Sequence, residues 1–381
     1  MESEARIGVF FCACGETIKD LIDFDRLAEH ARSLEGVVFV EGAGLLCSSP
    51  SLRRVSEAIR ENSLDRVVVA ACSPRVYLSE FREAARRGGI NPYMVEQANL
   101  REQVAWVHSA DKKSATDKAV DQLLMSVERS RRMRPSDFAP SAVVDEAQCS
   151  GCGICVSTCR AGVIELKDIG NDHKVAKVDR AECKACGACV AACPSGALNL
   201  EGFCNEEVVA EIDAFSRGLL ASKEPSPAVL VFACHWCSYP AADLAGLKRL
   251  QTDVRFRLIR TPCSARVDPE WVMRALSRGV DGVLVLGGKE GACHYQGGNV
   301  KTRNRMVLLT RVLDQLGFDP QRLAVEWVSP DEPYRFRSVV EEFIKKIASF
   351  GPSPIRAPEE EEMMTSALQH GRDHIEHPEY R

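Results

Sequence analysis

Short apolar runs alternate with segments whose apolar residues recur every three or four positions, and this alternation fills both ends of the chain. At the first end, Ile7-Gly8-Val9-Phe10-Phe11, Val37-Val38-Phe39-Val40 and Val67-Val68-Val69-Ala70-Ala71 have the length and continuity of strands buried on both faces. Between them Phe24, Leu27, Ala28, Ala31 and Leu34 keep helical spacing, as do Leu52, Val55 and Ile59, then Phe81, Ala84 and Ala85. Residues 98–133 read as helical, ending in the basic cluster Arg129, Arg131, Arg132 and Arg134, which suits a solvated helix C-terminus. Pro135 and Pro140 bracket a linker. After a second linker, Lys223 to Pro227, the alternation resumes. Strands are expected at 229–232, 254–259, 283–286 and 323–328, and helices near 241–250, 269–278, 300–316 and 332–349. Strands that alternate with helices predict parallel sheets covered by helices.

The middle of the chain has another pattern. Val144-Asp145-Glu146-Ala147-Gln148-Cys149 is echoed by Val178-Asp179-Arg180-Ala181-Glu182-Cys183, 34 residues later. The echo runs on through Cys-x2-Cys-Gly-x-Cys-Val-x2-Cys in both copies, to Gly162 and Gly196 and to Leu166 and Leu200, which marks an internal duplication. At the far end, prolines 352, 354 and 358 precede Glu359-Glu360-Glu361-Glu362, and the remaining polar stretch offers little to bury.

Composition narrows the class. The chain of 381 residues is 45% hydrophobic and 27% charged, with a formal net charge of −5, which excludes a strongly basic nucleic-acid binder at whole-chain level. No apolar run approaches the roughly 18 residues of a membrane span. Met1 to Arg6 carries two glutamates and no apolar core, so no secretory signal is read there. These features point to the cytoplasm, where regular cysteine spacings hold metal or do redox chemistry more often than they form disulfides. The chain has 17 cysteines.

Eight of them carry the strongest signal. Cys149, Cys152, Cys155 and Cys159, then Cys183, Cys186, Cys189 and Cys193 followed by Pro194, match the spacing of two-cluster bacterial ferredoxins. In that arrangement the fourth ligand of each cluster comes from the other copy. The expected 4Fe-4S sets are therefore Cys149, Cys152, Cys155 with Cys193, and Cys183, Cys186, Cys189 with Cys159. A structural zinc module uses one Cys-x2-Cys pair per half and does not explain eight ligands in this order. Arg160 stands where the second copy has Pro194, which alters the turn without removing a ligand. The expected fold is α/β: two parallel-sheet α/β domains, at 1–135 and 226–351, flank a duplicated bacterial-ferredoxin (α+β) module at 140–203, with a mobile acidic tail at 352–381.

Two further groups follow predicted strands and so gather at sheet edges, where α/β domains place their sites. Cys234, Cys237, Cys263 and Cys293 suit a 2Fe-2S cluster, an all-cysteine zinc site, or a dithiol with two bystanders, and spacing does not separate these. His235 and His294 do not sit in the Cys-x-His pattern of a mixed cluster. The loop Gly287-Gly288-Lys289-Glu290-Gly291 lacks a phosphate-loop pattern and reads as packing over this site. Cys12, Cys14, Cys47 and Cys72 can converge in the same way, although Cys47 or Cys72 would also serve as core. Cys204 is left over, at the start of the next helix.

The stretches Gly8 to Gly15, Arg66 to Arg75, Asn91-Pro92-Tyr93 and Asn99 to Gln103 resemble the N-terminal domain of the A component of heterodisulfide reductase, and the duplicated segment resembles the ferredoxin module of the same component. Phe232 to Tyr239, Asp281-Gly282-Val283, Cys293-His294-Tyr295 and Glu326-Trp327-Val328 resemble the delta, iron-sulfur subunit of methyl-viologen-reducing hydrogenase. The resemblance implies a 4Fe-4S cluster at Cys12, Cys14, Cys47 and Cys72 and a 2Fe-2S cluster at Cys234, Cys237, Cys263 and Cys293, making three 4Fe-4S clusters and one 2Fe-2S cluster. Two departures stand out. Gly288-Lys289 replaces a further Cys-His of the hydrogenase subunits, and the flavin domain of the reductase component is missing, with no Gly-x-Gly-x-x-Gly after any predicted strand. No flavin is therefore expected. Nor is any catalytic residue, since the chain has neither the adjacent Cys-Cys pair of a heterodisulfide-cleaving centre nor nickel-type Cys-x2-Cys pairs at its ends. The reading is a cytoplasmic electron-transfer subunit with no substrate-converting centre of its own. Its expected partners are a hydrogenase or formate dehydrogenase and a heterodisulfide-reductase-like flavoprotein complex. The rivals are a thiol-disulfide oxidoreductase using Cys234 and Cys237 and a zinc-stabilised assembly scaffold.

Overall fold

A computed structural model describes residues 5–136, 139–170, 173–221 and 227–356. The first sheet has the order β2-β1-β3-β4, all parallel, from β1 (Ile7–Cys12), β2 (Val37–Ala43), β3 (Arg66–Ala71) and β4 (Val95–Asn99). Its apolar strands are covered on both faces. One face packs Val9, Phe11 and Val68 against α1 (Phe24–Ser33) and the long α4 (Lys112–Arg132). The other packs Phe10, Val67 and Val69 against α2 (Ser49–Glu61) and α3 (Pro74–Gly88). The helices start where the side chains allow: Asp23 caps α1 by accepting from the Asp25 and Arg26 N–H groups, and Ser73 caps α3 with Pro74 in its first turn.

Expectation and structure part between Glu96 and Asp111. Instead of one helix from 98, the chain forms β4, then a π-helical turn over Arg101–Ala105, then α4. Val95–Asn99 is short and carries Glu96 and Gln97, so it lacks the apolar continuity of the other strands. Its pairing with β3 decides its conformation.

In the middle segment, β5 (Ala142–Val144) pairs antiparallel with β8 (Leu198–Leu200), and β6 (Ile164–Asp168) with β7 (Lys174–Val178). Each pair joins the first sequence copy to the second. The short α5 (Ile154–Thr158) lies in the first copy, and α6 (Asn205–Ala221) leads out of the segment, packed on α4.

The second sheet repeats the first in plan. Its order is β10-β9-β11-β12, all parallel, from β9 (Val229–Cys234), β10 (Phe256–Thr261), β11 (Gly282–Gly287) and β12 (Leu323–Trp327). The helices α7 (Ser238–Leu247), α8 (Pro269–Ser277), α9 (Gly298–Gln315) and α10 (Pro333–Ser349) cover it. One continuous core runs from Cys155, Ile164 and Cys189 through Val208 and Phe215 of α6 to Phe232, Trp271 and Val283, so the middle segment and the second sheet share their interior. Trp271 lies between Phe232 and Phe203 at ring separations of 5.9 Å each. Burying an aromatic side chain of this kind contributes about 2 kcal/mol.

Of the tail expected from 352, residues 352–356 are described. Asp281 accepts the backbone N–H of Ser353 at 2.6 Å as well as that of Ala228, and the Arg322 guanidinium donates to the carbonyls of Gly351 and Pro352. A buried carboxylate and arginine thus hold a stretch that composition alone assigns to solvent. The tail from 357 onward, and the linker at 222–226, lie outside the described residues. Among the described residues, no helix is long and apolar enough to cross a membrane.

Candidate functional site

Both parallel sheets reverse their strand order beside the first strand, and α/β sheets bind ligands at the carboxyl end of strands at such a point. The cysteines stand there. Cys12 ends β1, Cys72 follows β3, and the loops after β1 and β2 bring Cys14 and Cys47. Burial raises the Cys12 thiol, and the nearby Cys14 and Cys47 push the same way. Cys72 is pushed up to about 12, first by burial, while Arg101 opposes and Cys12 and Cys14 add to the rise. The four sulfurs therefore share one neighbourhood. The Leu46 N–H donates to Cys12 Sγ at 3.4 Å, and Arg101 Nη1 donates to Cys14 Sγ at 3.1 Å.

In the middle segment the pairing of strands across the copies brings cysteines from both together. Cys155, raised by burial, lies close to Cys149 and also to Cys193 of the other copy. Cys186 and Cys189, both raised by burial, lie close to Cys183 and to Cys159 of the first copy, Cys189 reaching about 12. The bonds to sulfur repeat with the sequence: Ala142 N–H donates to Cys183 Sγ at 3.5 Å, and Ala176 N–H to Cys149 Sγ at 3.4 Å, both donors and acceptors 34 positions apart. Burial opposes ionisation of Cys193, but bonds from Ser195 and from the Leu198 and Ala197 backbone prevail and lower its pKa. Cys152 is the exposed member, at the tip of its loop.

The second sheet gathers Cys234 at the end of β9, Cys237 at the start of α7, Cys263 after β10 and Cys293 after β11. Their thiols are neighbours in a row: Cys237 beside Cys234, Cys234 beside Cys263, and Cys263 beside Cys293. The end of that row at Cys293 is drawn down to about 5, chiefly by the neighbouring Cys263 thiol. Glycine makes the close approach feasible. A Cβ at Gly288 would stand 2.5 Å from Cys237 Sγ, so the glycine loop does pack over that sulfur, and one at Gly298, which opens α9, would stand the same distance from Cys263 Sγ. His294 stacks on Trp236 at 3.9 Å, and His235 Nδ1 lies 3.2 Å from Arg260, so both histidines have other partners. Cys204 is buried with its Sγ on Glu207 Oε1 at 3.3 Å.

Among the described residues, no group of three or more His, Cys, Asp or Glu side chains is placed to hold a single metal ion. A cavity of about 230 Å³ opens between Cys159, Cys183, Cys186 and Cys189 and reaches Cys263 and Tyr295. In its wall Cys186, Ala188 and Ala265 pack together with Cys293, so the second middle set and the second-sheet set share one apolar wall.

A polar layer that the sequence does not announce lies between the two sheets. Glu102, buried in the π-helical turn, accepts from the Ser73 N–H at 2.8 Å and pairs with Arg101 at 2.6 Å. Asp243 of α7 accepts from Ser73 Oγ at 2.5 Å and from Asn99 Nδ2 at 3.0 Å. In the sequence, Arg101 and Glu102 are marked only by the resemblance of their stretch, and Asp243 carries no local signal.

Fold and spacing together define an iron–sulfur protein in which a ferredoxin-type segment lies between two parallel-sheet units. Residues 148–197 match the 4Fe-4S dicluster domain, and residues 229–351 match the family described as methyl-viologen-reducing hydrogenase, delta subunit. The iron-sulfur D component of the F420-non-reducing hydrogenase of Archaeoglobus profundus is 43% identical over 131 residues, 34% of this chain and 96% of that one. The chain therefore belongs, through its C-terminal third, to the hydrogenase delta-subunit family. The A component of the ferredoxin:CoB-CoM heterodisulfide reductase of Methanosarcina mazei is 44% identical over 211 residues, 55% of this chain and 26% of that one. The A component of the ferredoxin/F420H2-dependent CoB-CoM heterodisulfide reductase of Methanosarcina acetivorans is 44% identical over 136 residues, 36% of this chain and 17% of that one. The chain thus spans about a quarter or less of these reductase components.

Proposed function

We propose that the chain is a cytoplasmic electron-transfer subunit that passes electrons between a hydrogenase or formate dehydrogenase and a heterodisulfide-reductase-like complex containing a flavoprotein. Its domains in this reading are 1–135, a duplicated ferredoxin module at 140–203, and 226–351. Cys12, Cys14, Cys47 and Cys72 hold one 4Fe-4S cluster. Cys149, Cys152, Cys155 and Cys193 hold a second, Cys183, Cys186, Cys189 and Cys159 a third, and Cys234, Cys237, Cys263 and Cys293 a 2Fe-2S cluster. Such clusters, when bound, take up and release single electrons. The chain's own part is to supply thiolates, to aim backbone N–H groups at the sulfurs of Cys12, Cys149 and Cys183, and to exclude water.

The observation that carries the reading is the apolar contact of Cys186 and Ala188 with Cys263, Ala265 and Cys293, which brings two sets within one packed wall. One feature favours a dithiol at the last site: the neighbouring Cys237 holds the Cys234 thiol low, as in a redox Cys-x2-Cys pair.

Iron separates the two. Protein purified without oxygen is expected to carry about 14 Fe per chain, from three four-iron clusters and one two-iron cluster. Cys263→Ser should lower this to about 12 and remove a 2Fe-2S EPR signal, while Cys204→Ala should leave the iron content unchanged. A wild-type count of about 12, with two thiols titrating at the Cys234 site, would replace the cluster there by the dithiol.

A further inference from the structure

A cleft of about 850 Å³ opens between α3, the end of β10 and the loop before α6, and it shares Ala185 and Tyr295 with the cavity described above. Arginine dominates its lining. Arg75 and Arg82, seven positions apart, share one face of α3, and Arg260 faces them from β10. Two other lining arginines are already neutralised: Arg86 grips Glu83 through two bonds of 2.7 and 2.8 Å, and Arg129 pairs with Glu96, Glu207 and Glu211. Arg75, Arg82 and Arg260 have no carboxylate partner among the described residues. Arg82 is half-buried, its Nε is shielded from water without a hydrogen-bond partner, and its guanidinium lies 5.0 Å from the centre of the Tyr93 ring.

Burial lowers the Arg82 pKa, and Arg260 lowers it further. His235 lines the same wall, its Nδ1 3.2 Å from Arg260 Nη1. Beside them Trp236 is 42% exposed into the cleft, held by its stack on His294 and by a 2.9 Å bond from its Nε1 to the Tyr295 hydroxyl. A fixed indole next to three guanidinium groups that no carboxylate pairs with matches a ligand that has a flat ring at one end and phosphate at the other. A partner protein's acidic surface would meet Arg75 at the rim but would not reach the shielded Arg82.

We propose that this cleft binds the nucleoside-diphosphate moiety of a nucleotide, its phosphates on Arg75, Arg82 and Arg260 and its base against Trp236. The inference is independent of the electron-transfer reading, because these residues need no cluster in order to bind an anion.

Calorimetric titration of the full chain with ADP, and separately with pyrophosphate, tests it. The expected result is saturable binding of one ADP per chain, at least tenfold tighter than pyrophosphate. Arg82→Gln and Arg260→Gln should each weaken ADP about tenfold or more, and Arg53→Gln on the exposed face of α2 should not. Unchanged circular dichroism and iron content would show that the variants are folded. The proposal is overturned if neither probe binds saturably, if both arginine variants keep the wild-type affinity, or if ADP binds no tighter than pyrophosphate.

Discussion

Arg266 illustrates how much a single residue's role depends on its surroundings. It is fully buried behind the loop that carries Cys186 and Cys189, where a Cβ on Gly187 would meet its side chain at 2.3 Å. Nη2 donates to Asn205 Oδ1 at 2.7 Å, and the guanidinium lies 4.2 Å from the Trp271 ring centre, but Nε and Nη1 have no partner among the described residues. Burial brings its pKa down to about 10, which still leaves a full positive charge at neutral pH. That charge favours the reduced, more negative state of any cluster held by Cys183, Cys186, Cys189 and Cys159. A unit charge roughly 10 Å away in a medium of effective dielectric about 20 is worth about 1.7 kcal/mol, or on the order of 70 mV for one electron. Arg266→Gln is therefore expected to lower one 4Fe-4S midpoint potential by several tens of millivolts in an EPR-monitored redox titration. A titration unchanged in every component would remove Arg266 from this role. In the sequence this arginine is only the third residue after Cys263, with nothing to distinguish it from a solvated one.

Among the elements, the π-helical turn and α7 form the joint between the two sheets. Gly246 lets them touch, since a Cβ there would stand 2.2 Å from the Glu102 carbonyl oxygen. The joint buries Asp243, whose pKa is pushed up to about 7 by burial and by the neighbouring Glu102, against the hydrogen bond from Ser73. A carboxyl group whose folded pKa exceeds its unfolded value of about 3.9 binds its proton more tightly in the folded state. Its contribution to stability is then complete below about pH 4 and is lost as pH rises through about 7. Thermal unfolding followed across that range should show this decline, and Asp243→Asn should flatten it. Equal pH slopes in the variant and the wild type would mean that other groups carry the dependence. The helices and strands flanking this joint are legible in the sequence because their apolar residues keep a period. The joint itself is not: β4 is short and polar, and a π-helical turn has no hydrophobic period to read.

At the scale of the whole molecule, Arg129 ties separate segments together. The basic cluster at the end of α4 suggests solvent, yet Arg129 is buried and holds Glu96 of β4 at 3.1 Å and Glu207 and Glu211 of α6 at 2.8 and 2.9 Å. Removing one partner from a buried ionic group costs about 3–5 kcal/mol, because the remaining charges stay buried. Arg129→Met should lower the stability by that order in denaturant unfolding, and a loss below about 1 kcal/mol would show that water reaches the carboxylates. Taken alone, the sequence determined the two alternations of strand and helix, the 34-residue echo and the grouping of the cysteines. These features are local, since hydrophobic period and ligand spacing are set by neighbours along the chain. Only the tertiary structure decided that the middle segment shares a core with the second sheet, that Asp243 and Glu102 meet, and that arginines from α3 and β10 face one cleft. Those contacts join residues far apart along the chain, and their energies come from desolvation and pairing, which no single stretch of sequence contains.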